Sequence, residues 1–192
     1  MQFIGDFSVD PQICDRLIEL HRECDRRGMA RKGEVYIAGG KGTVDRDMKD
    51  SLDVVLSDVP DALQNEYGVP AYQRELQRCT DEYTARFPKL KNIAFGVRES
   101  PIIQHYRPGG GFKAEHFERM SLGTVTRILV WMTFLNDVTD AGGTRFVYQD
   151  ATFDARKGRT LIWPPDFTHT HAGVVSPTQH KYIITGWFNF VS

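Results

Sequence analysis

The apolar positions of the chain change period near its middle. Up to about residue 90 they recur at helical spacing. Ile13, Leu17, Ile18 and Cys24 fall on roughly one face of a helix. Asp10 suits its cap, Pro11 its first turn and Gly28 its stop. A second stripe, Tyr72, Leu76, Cys79 and Tyr83, predicts a helix from about Pro70 to Arg86, ended by Pro88. Both stripes read as faces packed on a sheet rather than as partner-binding faces. From about Asn92 onwards the pattern breaks into strand-length runs with turn residues between them. Ile102 to Tyr106, Arg127 to Leu135, Thr144 to Tyr148, Thr160 to Trp163 and Tyr182 to Phe190 are the main strand candidates, rich in β-branched and aromatic residues. Several short antiparallel strands that bury polar groups inside fit a double-stranded β-helix, a jelly-roll relative. The expected class is therefore mainly β with N-terminal helices (α+β), a jelly-roll core buttressed by helices. We expect a single domain over residues 1–192, with residues 1–90 as helical support and 91–192 as the β-helix core. Arg31 to Gly42, rich in glycine and charge, lies between the helices and is a lid candidate.

Composition narrows the function classes. A chain of 192 residues suffices for one core. With 24 basic and 25 acidic side chains the net charge is −1, so no basic field suggests nucleic acid. No stretch approaches the roughly 20 apolar residues that span a bilayer. Met1 to Asp6 lacks the basic start and apolar run of a signal peptide. Cys14, Cys24 and Cys79 are odd in number and too scattered for a zinc knuckle. Reduced thiols in a cytoplasmic protein are the expectation.

The candidate chemistry sits in the β-rich half. His116-Phe117-Glu118, read as a strand, turns His116 and Glu118 to one face. His171 follows 53 residues after Glu118, and Lys181 ten residues later. Two imidazoles and one carboxylate with open positions opposite form the ligand set of non-haem Fe(II) oxygenases. His171 and Lys181 are expected on neighbouring strands facing one cavity. Lys181 stands in an apolar run, where an ammonium meeting a buried carboxylate makes a strong charge-assisted bond. His169 competes with His171, because in an extended segment both point to the same side. By the same alternation His105 and His180 point away from the cavity. His21 reads as an ordinary surface or interface residue of the first helix. Trp131, Trp163 and Trp187 read as core. Arg127 is open between a substrate contact and a structural ion pair.

The pieces occur in a characteristic order: Tyr106, Gly109, Phe112, His116, Leu135-Asn136, Gly142-Gly143-Thr144-Arg145-Phe146, Lys157-Gly158, His171 and Lys181. In this respect the chain, from about Ile102 to Phe190, resembles the 2-oxoglutarate- and Fe(II)-dependent dioxygenases of the prolyl 4-hydroxylase-like superfamily. The resemblance implies His116, Glu118 and His171 as metal ligands, and Lys181 with Tyr106 as the 2-oxoglutarate site. Its spacing to Lys181 favours His171 over His169. It implies Fe(II), 2-oxoglutarate and O2 as cofactor and co-substrates, with ascorbate as a candidate reductant. The expected reaction hydroxylates a C–H bond and releases succinate and CO2. The expected partner is a small molecule or a peptidyl substrate, with a prolyl or other amino-acid unit favoured.

Two positions depart from the family pattern. Glu118 stands where aspartate is usual, and its presence argues against halogenation, which leaves that ligand position to chloride. Phe134 stands where many members carry a tyrosine that binds 2-oxoglutarate, so Thr133, Thr144 and Tyr106 are candidate helpers for Lys181. The alternatives are a cupin-like metal enzyme that does not use 2-oxoglutarate, and a non-catalytic binding or sensing domain with a weakened metal site.

Overall fold

The computed structural model describes residues 3–36 and 42–191. In chain order the N-terminal half carries β1 (Gly5–Ser8), α1 (Pro11–Arg26), β2 (Arg31–Lys32), β3 (Val35–Tyr36), β4 (Gly42–Thr43), β5 (Lys49–Asp50), β6 (Leu52–Val55), α2 (Asp61–Glu66) and α3 (Val69–Arg86). The second half is almost wholly strands. These are β7 (Phe95–Val97), β8 (Ile102–Tyr106), β9 (Gly111–Phe112), β10 (Arg127–Phe134), β11 (Thr144–Phe146), β12 (Ala151–Phe153), β13 (Arg159–Trp163), β14 (His171–Gly173) and β15 (Lys181–Phe190).

Two sheets face each other. The large one runs β1-β13-β10-β15-β8-β6-β2, with β7 also on β15. The small one runs β12-β11-β14, and the β5–β9 pair lies beside it. Every pairing is antiparallel. This is the expected jelly-roll core with helices on one face.

The period-two alternation of β10 and β15 divides the interior in two. Leu129, Trp131, Ile184 and Phe188 join Leu17, Tyr72, Leu76 and Tyr83 in the core under α1 and α3. Val130, Met132, Phe134 and Ile183 join Tyr106, Phe146, Phe153 and Trp163 between the two sheets. The helix stripes read from sequence are thus sheet-packing faces. Asp10 caps α1 by accepting the Gln12 N–H at 2.9 Å, and Gly28 follows at φ +70°. Thr133 points to the helix side, where it hydrogen-bonds the Tyr72 hydroxyl at 2.8 Å and Thr160 at 2.7 Å.

Several expectations need correction. The N-terminal half, read as helices and a lid candidate, also supplies β1, β2 and β6 to the large sheet. Of the lid candidate, residues 37–41 lie outside the described residues. The run Thr144 to Tyr148 is a strand only as far as Phe146. His21 is not a surface residue: it is 1% exposed, and its Nε2 meets the Leu52 carbonyl at 2.9 Å. His105 does turn from the inter-sheet space, stacking on Tyr182 at 4.2 Å and meeting His180 Nδ1 at 2.9 Å.

Candidate metal centre and co-substrate site

His116, Glu118 and His171 bring one ligand atom each to within 4.8 Å of one another. Among the described residues they are the one cluster of three or more such groups. Glu118 Oε1 lies 3.5 Å from His116 Nε2 and 3.6 Å from His171 Nε2. The local backbone differs from the expectation. His116 is not in a regular strand; it forms an isolated bridge with His171, each N–H bonding the other's carbonyl at 3.0 and 2.9 Å. Glu118 follows in a bend whose N–H bonds the Pro165 carbonyl at 2.9 Å. These bridges, rather than a continuous ladder, turn the two side chains to the same side.

The tautomers suit a metal. His116 Nδ1 is 2.8 Å from the Ala114 carbonyl, and His171 Nδ1 is 2.9 Å from the His169 carbonyl. A carbonyl only accepts, so each Nδ1 carries the proton and each Nε2 presents its lone pair to the cluster. Phe112 stacks on the His116 ring at 3.7 Å, and Trp163 meets the His171 ring edge-on at 5.1 Å. Burial, and after it the neighbouring His116, lowers the pKa of His171 to about 4. Burial alone would raise the carboxyl of Glu118; its interactions with His116, His171 and Arg127 outweigh it, giving about 2. Two imidazoles bonded through Nδ1, with Nε2 turned to the cluster, and one carboxylate form the donor set that a divalent iron requires. His169 is buried, but it contributes its carbonyl and not its ring to this cluster.

Lys181 reaches the same space from the other sheet. It is not on the strand beside His171: it opens β15, pairs with Tyr106 of β8, and faces β14 across the gap. Lys181 is 4% exposed, and its ammonium lies 3.4 Å from the Val174 carbonyl and 4.9 Å from the centre of the Tyr106 ring. Among the described residues no carboxylate stands within ion-pair distance of it, and burial lowers its pKa to about 8. Gly173 leaves room here, because a Cβ on it would lie 3.6 Å from Lys181 Nζ and 3.2 Å from the Phe112 carbonyl. The Tyr106 hydroxyl donates to Gln104 Oε1 at 2.6 Å. Gln104 in turn reaches Asp53 at 3.4 Å, and Lys49 and Ser51 hold Asp53 at 2.7 Å each. Of the three candidate helpers, Thr133 faces the helices and Thr144 meets the Met132 sulfur at 3.9 Å. Tyr106 alone of them contacts Lys181.

Two side chains matter more than the sequence suggested. Trp187, read as core, donates its indole N–H to Glu118 Oε2 at 2.9 Å. Arg127 ion-pairs with Glu99 and also reaches Glu118, so the structural reading of it holds, though at the site itself. No spacing rule pointed to either contact.

Comparison with known proteins agrees with this geometry. Residues 101–189 match the model of the 2OG-Fe(II) oxygenase superfamily. No curated protein matches the chain. Among solved structures, a viral collagen prolyl hydroxylase from Paramecium Bursaria Chlorella virus-1, solved as a 2OG complex, superposes with TM-score 0.67 at 16% identity, over 99% of this chain and 97% of that one. A Pseudomonas putida prolyl-4-hydroxylase gives 0.67 at 15% identity, over 97% and 92%. A Trichoplax adhaerens prolyl hydroxylase in complex with a hypoxia inducible factor peptide gives 0.70 at 16% identity, over 97% and 84%. At that identity the superpositions speak for the fold, while the matched segment contains all three clustered residues, Tyr106 and Lys181. Residues 101–189 thus match the 2OG-Fe(II) oxygenase superfamily, in a chain that has the fold of the prolyl 4-hydroxylases.

Proposed function

We propose that the protein is an Fe(II)- and 2-oxoglutarate-dependent dioxygenase that hydroxylates a C–H bond of a prolyl or other amino-acid unit, within a peptide or free, and releases succinate and CO2. The observation that carries this is the pairing of a His-Glu-His cluster with a buried ammonium, two strand residues away, that has no carboxylate partner among the described residues. His171 and Gly173 both lie on β14, and Lys181 Nζ approaches at Gly173 and Val174. Two strand residues span about 6.6 Å, a separation that a five-carbon keto diacid bridges with one end chelated and the other on the ammonium.

His116, Glu118 and His171 would hold the iron, and Lys181 would bind the far carboxylate of 2-oxoglutarate. When bound, iron and the keto acid supply the O2-activating oxidation that no side chain here can perform. The residues of the chain do the rest. The Nδ1 bonds to Ala114 and His169 fix both imidazoles for ligation. Lys181 and the Tyr106 ring orient the diacid. Phe112, Phe134, Phe146 and Trp163 keep the inter-sheet space apolar and restrict water. Lys181 also disfavours the cupin-like alternative, which has no use for a buried ammonium.

The prolyl or peptidyl substrate is supported by the shared fold with prolyl hydroxylases, one of them in complex with a peptide. Incubation with Fe(II), 2-oxoglutarate and proline-containing peptides should give succinate and a mass gain of one oxygen. Succinate without any oxygenated amino-acid or peptide product would remove the substrate assignment and leave the co-substrate assignment standing. Ascorbate as a reductant is tested in the same assay, as longer-lived turnover in its presence.

A further inference from the structure

The two oxygens of Glu118 have different partners. Oε1 faces the two imidazole nitrogens. Oε2 accepts the Trp187 indole N–H at 2.9 Å and an Arg127 N–H at 3.3 Å. Arg127 takes hold of the same residue twice, because it also donates to the Glu118 carbonyl at 2.8 Å. Two of its other N–H groups bond Glu99 at 2.8 and 2.5 Å, and its guanidinium lies 3.9 Å from the centre of the Trp187 ring. The Arg127 side chain is 12% exposed. The clamp is thus made of a fork fixed at both ends and stacked on the indole that supplies the other donor.

A glutamate has one more rotatable bond than the aspartate usual in this pattern. Freezing a flexible side chain costs rotamer entropy. A free glutamate could also turn both oxygens to a metal, taking a position that a chelating keto acid needs. Resting on the reading of Glu118 as an iron ligand, we infer that Trp187 and Arg127 are positioning residues that reserve Oε2 for themselves and leave Oε1 as the single ligand atom. The clamp is what lets the longer carboxylate serve where aspartate is usual.

The test uses Co(II), whose visible absorption reports coordination number as well as affinity. Trp187→Phe keeps the ring and deletes the donor. It is predicted to weaken Co(II) binding about 10- to 100-fold, as loss of outer partners does at other metal sites, and to change the absorption intensity as the carboxylate gains freedom. The same substitution in a Glu118→Asp background should cost much less, because the shorter side chain has no slack to remove. Arg127→Lys, which cannot grip Glu118 and Glu99 together, is the second variant and should weaken binding in the same direction. Thermal midpoints of the metal-free variants identify any that fail to fold. Wild-type Co(II) binding with unaltered affinity and spectrum in both folded variants overturns the clamp and leaves the metal site standing. Equal losses in the Glu118 and Glu118→Asp backgrounds also overturn it, since the clamp would then owe nothing to side-chain length. No Co(II) binding by the wild type overturns the metal reading and the clamp with it.

Discussion

Lys181 holds its ammonium against a carbonyl and an aromatic face, with burial lowering its pKa to about 8. A bound carboxylate restores the protonated form. The affinity for 2-oxoglutarate should therefore be flat below pH 8 and fall above it, by about tenfold per pH unit for one linked proton. Titration of the iron-loaded protein from pH 6.5 to 9.5 checks this, and an affinity that stayed flat to pH 9.5 would count against Lys181 as the anchor. Lys181→Met should weaken 2-oxoglutarate by about 10- to 100-fold, the worth of a charge-assisted hydrogen bond. That His116, Glu118 and His171 come together, with Lys181 near β14, was legible in the sequence from the order and spacing of those residue types. Trp187 and Arg127 were not, because their contact with Glu118 depends on how β10 and β15 pass the bend after His116. His21 was misread for a similar reason: its carbonyl partner is 31 residues away.

The strands that pack on both faces were visible as apolar runs, and β8, β10, β13 and β15 follow the sequence reading to within a residue at each end. Short or polar strands escaped it. Gly5–Ser8 offers one apolar side chain, Phe7, while Leu52–Val55 contains Asp53, a charge tolerated inside because Lys49 and Ser51 hold it. The β14 strand spans three residues and starts at His171. Where β10 and β15 pass each other, Gly186 stands opposite Trp131, and a Cβ there would lie 2.5 Å from its indole ring. Gly186→Ala should cost about 1–3 kcal/mol through overpacking, measured by urea unfolding. Asp10→Ala should cost about 1 kcal/mol through loss of the α1 cap. A neutral result at Gly186 would mean that the indole moves aside freely.

For the whole molecule, the site's titrations couple to stability. Metal-free His171 titrates at about 4 in the fold, against an ordinary 6.5, and Glu118 at about 2, against 4.5. In both windows the unfolded chain binds more protons than the folded one, so stability rises with pH. The metal-free thermal midpoint should fall as pH drops from about 6.5 to 4 through His171, and further from about 4.5 to 2 through Glu118. His171→Ala should flatten the upper window. A divalent metal at a hundredfold excess over its dissociation constant should add about 2.7 kcal/mol at neutral pH, and less in acid, because protons compete for the same nitrogens. The jelly-roll class was legible from strand spacing, but the contribution of β1, β2 and β6 to the large sheet was not.

The most direct measurement is a visible spectrum recorded without oxygen, as Fe(II) and then 2-oxoglutarate are added to the purified protein. Bidentate keto-acid chelation to ferrous iron gives a weak metal-to-ligand charge-transfer band. The account predicts that band in the wild type, its loss in His171→Ala and its weakening in Lys181→Met. Iron binding without the band would contradict the co-substrate assignment, and no iron binding at all would contradict the metal centre on which the account rests.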